Sequence, residues 1–313
     1  MHIRNRYANN MPNFAEVAAE HPPLSQYLKK TRAGHVSIDF KNPRALRELT
    51  YGLLWKDFGI RLEIPLDSLC PPIPNRLDYL LSLQDMLLLL PRKESLPVHG
   101  IDIGTGASCI YPLLGCCIAE YWHFTALEID DRSIEYAREN VERNNLQDRI
   151  CILKNSGSEL LPPNLLTRDS YDFCMCNPPF YEDAVAVAKG VEAKALLPRA
   201  VCTGSRNEMI TDGGEYAFVA RLFEESCKLR GRISMYSSLI GRKKDGTALL
   251  KLLEASKDVS FVRLVAFRQG TTRRWILFWS FVVPNGQPSQ LDADPQSQLA
   301  APDTASSDAV PSS

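Results

Sequence analysis

The chain has 313 residues, of which 45% are hydrophobic and 23% are charged, and its formal net charge at pH 7 is −1. These values are average for globular proteins and exclude a largely disordered chain, and this length allows a full buried core. The charge is uneven: residues 221–280 hold 13 Lys and Arg against 5 Asp and Glu, whereas residues 285–313 hold 4 Asp and no Lys or Arg. We therefore expect a basic binding face and a solvated acidic tail.

No segment is typical of a membrane span, a secretion signal or a metal site. The longest apolar stretch, residues 80–90, is interrupted by polar side chains and falls short of the ~20 apolar residues that a bilayer span needs. Residues 1–13 are polar, so we expect no secretion signal. The nine cysteines form no C-x-x-C pair, so we expect reduced thiols and no bound metal.

The first part of the chain is predicted to form an N-terminal arm and helical layer over residues 1–92. Residues 42–58 and 75–90 have the apolar spacing of helices. Between them, residues 71–74 hold three prolines, which require an extended passage. We expect this layer to pack against the domain that follows.

Residues 98–283 alternate apolar runs of strand length with helical patterns, which indicates a parallel sheet with crossover helices. The seven predicted strands are 98–103, 124–129, 150–154, 171–176, 232–236, 259–267 and 275–283. Helices are predicted at 132–144, 215–228 and 246–255. The last two strands are joined by a short hairpin loop at 269–272, which predicts one antiparallel strand at the edge of the sheet. The fold class is therefore α/β, with a mostly parallel sheet in a domain at residues 93–284.

Two segments lie outside these elements. Residues 181–214 run for 34 residues between a strand and the next clear helix, and loops of that length are usually functional or disordered. Residues 285–313 have no aromatic residue and are rich in Ser, Pro, Gln, Ala and Asp. We therefore predict a disordered tail.

A glycine turn follows the first predicted strand, where Gly104 and Gly106 precede a helical pattern. Glycines let the backbone approach a ligand closely, and a helix start supplies unpaired N–H groups. A pyrophosphate-binding G-x-G-x-x-G motif would need a third glycine where Cys109 stands. Glu128 ends the next strand, where an acidic residue reaches ribose hydroxyls in this topology. The pattern therefore favours a turn that binds a nucleoside without a pyrophosphate over an ordinary tight turn. S-adenosylmethionine is the commonest ligand of this kind.

The most specific pattern in the sequence is Asn177-Pro178-Pro179-Phe180, which ends the strand 171–176. In an open parallel sheet, this tetrapeptide faces the same crevice as Gly104 and Glu128. The two prolines stiffen the turn and remove two N–H donors. The motif therefore offers hydrogen-bond acceptors and an aromatic ring beside the predicted cofactor.

These acceptors suit methyl transfer to an exocyclic adenine amine, which is a poor nucleophile because its lone pair is delocalised into the ring. If the Asn177 side-chain oxygen and the Pro178 carbonyl accept its two N–H bonds, the lone pair can point at the sulfonium methyl. Fixed acceptor dipoles then stabilise the cation that forms. Phe180 would hold the flipped base by stacking. The side-chain amide of a protein glutamine would fit the same acceptors.

The sequence resembles the methyltransferase-like 16 type of RNA adenine N6-methyltransferases, which modify U6 small nuclear RNA. The resemblance covers residues 1–283 and is dense at residues 101–115, at residues 171–180 and at Arg4-Asn5-Arg6-Tyr7. It implies a class I methyltransferase fold and S-adenosylmethionine as the cofactor. It also implies N6-methyladenosine formation in a structured RNA hairpin, with U6 small nuclear RNA as the main substrate and the S-adenosylmethionine synthetase messenger RNA as a second one.

The resemblance also implies roles for individual residues. The catalytic residues would be Asn177, Pro178, Pro179 and Phe180. The cofactor-binding residues would be Arg76, Asp102, Gly104, Thr105, Gly106, Ser108, Glu128 and Asn177. Of these, Arg76 would pair with the methionine carboxylate of the cofactor, for which a guanidinium is well shaped. The loop at residues 181–214 would be the variable loop beside the target base.

For RNA binding, the resemblance implies an RNA-facing N-terminal layer with Arg4 and Arg6, together with Arg274 near the last strand. Charge alone adds Arg268 and Arg273. Phosphate contacts from such residues make binding fall steeply with salt. We further expect a nuclear protein, with the cytoplasm as an additional location, that acts as a monomer.

The chain departs from the family at a few positions. Asn9 and Asn10 stand where members often have lysines, and Thr271 stands where they have an arginine. The loop at residues 155–158 lacks a lysine found in the family, which bears on regulation through that loop. These departures favour weaker RNA affinity or another target. A ribosomal RNA adenine methyltransferase, a protein glutamine methyltransferase and an inactive RNA-binding module are therefore the alternatives.

Overall fold

The computed structural model describes residues 1–31, 34–91, 97–183, 204, 206–269 and 272–285. The N-terminal layer consists of α1 (Phe14–Glu20), a 3-10 helix (Pro22–Tyr27), the short antiparallel strands β1 (Lys29–Lys30) and β2 (Val36–Ser37), and the helices α2 (Pro43–Phe58) and α3 (Ile73–Leu87). The two long helices confirm the predicted helical layer.

Local sequence signals set the ends of α2. The side-chain oxygen of Asn42 accepts hydrogen bonds from the amides of Arg44 and Ala45, which caps the first turn. Pro43 occupies the first helical position, where its missing N–H costs nothing. Gly59, with φ of 65°, ends the helix in the left-handed region.

The helix α3 is buried on nearly all sides. It packs against α4, β7 and β8, which places it over one face of the central sheet. A helix enclosed in this way, including its polar residues Arg76, Asp78 and Ser82, belongs to the core rather than to the surface. The helical layer and the sheet therefore share one hydrophobic core.

The remaining elements build the central sheet and its covering helices. In chain order they are β3 (Val98–Ile103), α4 (Ile110–Ile118), β4 (Trp122–Glu128), α5 (Asp131–Arg143), β5 (Ile150–Lys154), β6 (Tyr171–Cys176), α6 (Arg206–Met209), α7 (Gly214–Leu229), a 3-10 turn (Arg230–Arg232), β7 (Ile233–Ile240), α8 (Lys243–Glu254), β8 (Phe261–Gln269) and β9 (Thr272–Ser280). The seven predicted strands are all present, three of them with the predicted bounds.

The strand order is β5-β4-β3-β6-β7-β9-β8. Neighbours from β5 to β7 pair in parallel, whereas β9 is antiparallel to both β7 and β8. A mostly parallel sheet with one antiparallel strand is confirmed, but that strand lies second from the edge and β8 forms the edge itself. The reason is burial: residues 276–279 of β9 are fully buried, whereas most of β8 is only half-buried.

Two hydrophobic clusters cover the two faces of the sheet. On one face, Trp122 and Phe173 lie with ring centroids 4.9 Å apart in the cluster that includes α3 and α4. On the other, Tyr236 and Trp279 stack at 5.7 Å in the cluster beneath α7 and α8. Because both faces are covered, the carboxyl ends of the parallel strands form the open edge where a ligand can bind.

Some predictions fall partly or wholly on residues outside this description. The predicted variable loop at 181–214 is described only at residues 181–183, 204 and 206–214, and the predicted tail is described only at residue 285. Within the described ranges, no helix has the length and apolar character to cross a membrane. The same residues contain no group of three or more His, Cys, Asp or Glu side chains arranged to hold a metal ion.

Candidate active site

The glycine turn after β3 adopts a backbone geometry that other residues rarely take. Gly104 and Gly106 have φ of 68° and 65°, in the left-handed region that glycine enters without a steric penalty. The amides of Gly104 and Thr105 both donate to the carbonyl of Leu127 on β4, at 2.9 and 3.1 Å. The turn is therefore held against the neighbouring strand, and its outer surface lines a cavity.

Glu128, at the end of β4, is tied to that turn by backbone hydrogen bonds. Its Oε2 accepts from the amide of Gly106 at 2.8 Å, and its Oε1 accepts from the amides of Ile129 and Asp130 at 2.8 and 3.1 Å. Burial raises the pKa of Glu128, and these three hydrogen bonds oppose the rise. The carboxylate is thus fixed in place at the wall of the cavity, where it can accept hydrogen bonds from a ligand.

Seven of the eight residues predicted to bind the cofactor line this single cavity of about 270 Å³. They are Arg76, Gly104, Thr105, Gly106, Ser108, Glu128 and Asn177. They come from α3, from the segment after β3 and from the ends of β4 and β6. The parallel sheet brings these segments together because its neighbouring strands end at the same edge.

Asp102 is the eighth residue, and it is not among the residues that line the cavity. Its side chain is almost fully buried in β3, and burial raises the pKa of its carboxyl to about 7. Its Oδ2 has no hydrogen-bond partner within the described residues. Three residues that do line the cavity, Thr105, Glu128 and Arg76, lie close enough to influence the pKa of this carboxyl, so Asp102 belongs to the immediate surroundings of the cavity.

Arg76 brings a buried positive charge to the cavity. The residue is only 6% exposed, and its Nη1 donates to the hydroxyl of Tyr111 at 3.0 Å. The guanidinium carbon lies 5.2 Å from the centroid of the Tyr111 ring, a cation–π contact. Its Nε has no partner among the described side chains and backbone groups. A buried guanidinium with an unused N–H suits a carboxylate ligand.

Asn177 supplies an unused acceptor at the end of β6. Its side-chain Oδ1 is buried and has no hydrogen-bond partner in the described part of the chain. The preceding residue, Cys176, donates its amide to the hydroxyl of Tyr79 on α3 at 3.3 Å, and that hydroxyl donates to Ser237 Oγ on β7 at 3.0 Å. The helical layer therefore holds the strand end from which Asn177 projects.

The rest of the motif divides between the cavity and a neighbouring surface. Pro179 lines the cavity, Pro178 is buried, and Phe180 is half-buried outside the cavity wall. The Phe180 ring packs on the backbone of Gly241, the residue after β7. The guanidinium carbon of Arg274 lies 5.8 Å from its centroid. The structure thus joins the predicted stacking residue to a predicted RNA-binding arginine.

The two arginines predicted from charge alone lie with Arg274 at one end of the sheet. Arg268 and Arg273 are cross-strand partners at the tip of the β8–β9 hairpin, and both are exposed. The N-terminal ammonium of Met1 donates to the carbonyl of Arg268 at 2.8 Å. The start of the N-terminal arm and the basic hairpin therefore form one continuous surface, next to Phe180.

The two arginines of the arm are engaged with acidic side chains of the helical layer. Arg4 forms an ion pair with Asp85 on α3. Arg6 pairs with Asp57 on α2 at 3.1 Å and lies over the ring of Phe58. Arg6 therefore packs against α2 and not against the hairpin. The predicted RNA-binding residues are thus divided between the surface of the helical layer and the surface of the β8–β9 hairpin.

The amino-acid sequence that builds this site matches a known protein family over most of the chain. A family profile described as RNA methyltransferase matches residues 1–283. The chicken (Gallus gallus) RNA N(6)-adenosine-methyltransferase METTL16 is 43% identical over 286 residues, which cover 90% of this chain and 51% of that protein. The chain belongs to this RNA methyltransferase family. A U6 small nuclear RNA (adenine-(43)-N(6))-methyltransferase of Dictyostelium discoideum is 35% identical over 316 residues, covering 90% of this chain and 55% of that protein.

Solved structures extend the likeness from sequence to fold. The human METTL16 catalytic domain in complex with a MAT2A 3′UTR hairpin matches with a TM-score of 0.81 at 42% identity, covering 90% of this chain and 95% of that chain. The N-terminal domain of human METTL16 in complex with SAH matches at 0.75 and 40%, covering 90% and 98%. The class I methyltransferase fold predicted from the sequence is confirmed. This methyltransferase chain spans about half the length of the curated relatives it matches.

Sequence reasoning missed two residues that organise the methyltransferase site. The sequence indicates only that Tyr79 belongs to the predicted helix 75–90, since nothing in its neighbours indicates a contact with β6. In the sequence, Glu215 is only the first residue of the predicted helix 215–228. Its position in the first turn of a helix is typical of acidic residues, and that pattern does not indicate the strand end that it contacts.

Proposed function

We propose that this chain is an S-adenosylmethionine-dependent methyltransferase that forms N6-methyladenosine in a structured RNA, with U6 small nuclear RNA as the first candidate substrate. The observation that carries the proposal is the buried, unpartnered Oδ1 of Asn177, which lines the same cavity as Glu128 and Arg76. The relatives described above support it, because they include adenosine N6-methyltransferases at 43% and 35% identity.

The side chains of the cavity fit S-adenosylmethionine. Arg76 is a buried cation with an unused Nε–H for the methionine carboxylate, and Glu128 is a fixed carboxylate for the ribose hydroxyls. The glycine turn lets the backbone come close to the ligand. When bound there, the cofactor supplies an electrophilic methyl group carried on a sulfonium.

The residues of the chain then orient the amine that accepts this methyl group. Asn177 Oδ1 and the Pro178 carbonyl accept the two N–H bonds of the adenine amine, so the nitrogen becomes pyramidal. Their dipoles stabilise the positive charge that develops on nitrogen more than they stabilise the neutral amine. The methylated nitrogen loses its extra proton to solvent, so no general base is needed.

The RNA would reach the cavity across the basic hairpin. Phe180 follows the cavity-lining Pro179 and lies beside Arg274, so a flipped adenine can stack on its ring, a contact worth about 1–3 kcal/mol. Arg268 and Arg273 at the hairpin tip are placed to bind phosphates of the same RNA. A hairpin with an adenine in its loop presents the base without the cost of opening a duplex.

We place this activity in the nucleus, because relatives of the chain are named for U6 small nuclear RNA. The prediction is tested by expressing the tagged protein at native level and imaging it beside a nuclear marker. A signal confined to the cytoplasm would contradict the nuclear assignment and favour another RNA.

The proposed activity is tested by methyl transfer from radiolabelled S-adenosylmethionine to a U6-type hairpin with adenine in its loop. A matched hairpin with guanine at that position and the Asn177→Ala variant are the controls. We expect label only in the adenine hairpin with the unmodified enzyme. Label in ribosomal RNA alone, or in protein glutamine alone, would overturn the U6 proposal in favour of the corresponding alternative.

A further inference from the structure

Glu215 joins the start of α7 to the end of β7 through two backbone hydrogen bonds. Its Oε1 accepts from the amide of Gly241 at 2.6 Å, and its Oε2 accepts from the amide of Arg242 at 3.2 Å. The side chain is only 2% exposed. Arg242 is the N-cap residue of α8 and makes no side-chain cap of its own. The carboxylate of Glu215 therefore satisfies two backbone donors at the start of α8, a helix end that has no side-chain cap from its own N-cap residue.

The position of Glu215 itself depends on the two glycines before it. Gly213 and Gly214 have φ of 70° and 68°, and α7 begins abruptly at this point, beside Tyr181 and Glu182. The amide of Gly214 donates a hydrogen bond to the carbonyl of Thr211. The amide of Thr211 in turn donates to the carbonyl of Tyr181. The first turn of α7 is thus placed against the segment that follows Phe180. Glu215 reaches across from this turn to Gly241.

Gly241 is the surface on which the Phe180 ring rests. A Cβ atom added at Gly241 would lie 2.7 Å from Cε1 and 2.8 Å from Cδ1 of Phe180, closer than two carbon atoms can approach. The same Cβ would lie 3.1 Å from Oε1 of Glu215. One backbone position therefore contacts the carboxylate and the ring at once, and a shift of Gly241 must move the ring.

We propose that Glu215 is a positioning residue for the target base, because it holds the backbone of Gly241 and thereby sets the place of the Phe180 ring. The inference rests on the proposed function, in which Phe180 stacks on the flipped adenine. A buried carboxylate costs more in desolvation than a neutral side chain, but its charge-assisted bonds to two amides are stronger than neutral ones. Such a rigid support suits a ring that must place an amine within about 0.5 Å of its productive position.

Two substitutions separate this role from a general structural one. Glu215→Ala removes both acceptors, and we expect kcat/KM for RNA to fall about 10-fold, since misplacement by about 1 Å costs up to about 100-fold. Glu215→Gln keeps one oxygen for the Gly241 amide and should restore most of that loss. The Kd of S-adenosylmethionine should stay within about 2-fold of its original value in both, because Glu215 does not line the cofactor cavity.

A double-mutant cycle with Phe180→Leu tests whether Glu215 acts through the ring. We expect Glu215→Ala to change kcat/KM little in the Phe180→Leu enzyme, because the ring that it positions is gone. Glu225 is the matched control: it is another buried glutamate of α7, and it accepts hydrogen bonds from the amides of Leu160 and Leu161. The effects of Glu225→Ala and Phe180→Leu should simply add.

Each outcome of the cycle decides the question. Additive losses for Glu215→Ala and Phe180→Leu would overturn the positioning role while leaving the proposed function intact. No loss from Phe180→Leu alone would overturn the stacking role of Phe180, and the positioning role with it. If Glu215→Ala does not fold, Gly241→Ala replaces it: this variant keeps Glu215 and pushes directly on the ring. Unchanged RNA methylation by Gly241→Ala would contradict the inference.

Discussion

The hydroxyl of Tyr79 accepts a hydrogen bond from the amide of Cys176 at 3.3 Å, so a helix outside the sheet supports the strand end that carries Asn177. Tyr79 is completely buried, and its hydroxyl also donates to Ser237 Oγ at 3.0 Å. The helical layer is therefore part of the active site and not only a cover for the core.

Tyr79→Phe removes this hydroxyl and leaves the Cys176 amide without that partner. We expect the free energy of unfolding to fall by about 1–3 kcal/mol, the cost of an unsatisfied buried donor. We also expect kcat to fall about 10-fold, because the Asn177 acceptor loses its fixed position. Urea unfolding and single-turnover methylation would measure the two effects. A stability loss with unchanged kcat would contradict the link between Tyr79 and Asn177.

Asn177→Ala should abolish methyl transfer while folding and RNA binding persist. The substitution removes an acceptor needed only at the reacting nitrogen, and loss of one such preorganised group costs about 100- to 1,000-fold in kcat. Filter binding of the hairpin and thermal unfolding should match the unmodified protein. If RNA binding fell in parallel with activity, Asn177 would hold the RNA rather than activate the amine.

Arg274→Ala should weaken RNA binding and make it less sensitive to salt. Removing one phosphate contact lowers the slope of log Kd against log salt by about 0.7–0.9. Arg263→Ala, on the neighbouring strand β8, is a suitable comparison because Arg263 lies over the ring of Phe261, far along the strand from the hairpin tip. An unchanged slope for Arg274→Ala would remove that residue from the phosphate contacts.

The stability of the cofactor-free protein should fall as the pH rises from 6 to 8. Burial raises the pKa of Asp102 to about 7, far above its value in the unfolded chain. At any pH between the unfolded-state and the folded-state pKa, the folded protein therefore binds more protons than the unfolded chain does. The free energy of unfolding therefore decreases as the pH rises through the folded-state pKa. Burial likewise raises the pKa of Glu215 to about 7, which adds to the same trend.

Asp102→Asn isolates one part of this dependence. A carboxyl with a pKa of about 7 contributes about 1 kcal/mol of change between pH 6 and pH 8, which corresponds to about 2–4 °C of Tm for a domain of this size. Between pH 6 and pH 8, the Tm of the variant should therefore fall by about 2–4 °C less than the Tm of the unmodified protein. Thermal unfolding of both proteins at both pH values measures the difference. An equal fall in both proteins would mean that Asp102 is ionised in the folded state throughout.

The sequence by itself determined the elements that depend on neighbours in the chain. The alternation of apolar runs predicted seven strands, and the glycine turn after β3 and the Asn177–Phe180 motif after β6 each marked a strand end. Because parallel strands end at one edge of a sheet, these local patterns were sufficient to predict that the glycine turn, Glu128 and Asn177 line one cavity.

The tertiary structure alone decided which distant residues support that cavity. It placed β9 between β7 and β8, left Asp102 out of the cavity lining, paired Arg4 with Asp85, and set Tyr79 and Glu215 against the strand ends that carry the chemistry. These relationships join residues up to 97 positions apart in the chain. No local pattern encodes them, because such a contact depends on how whole helices and strands pack, and packing is set by the fit of buried surfaces across the entire core.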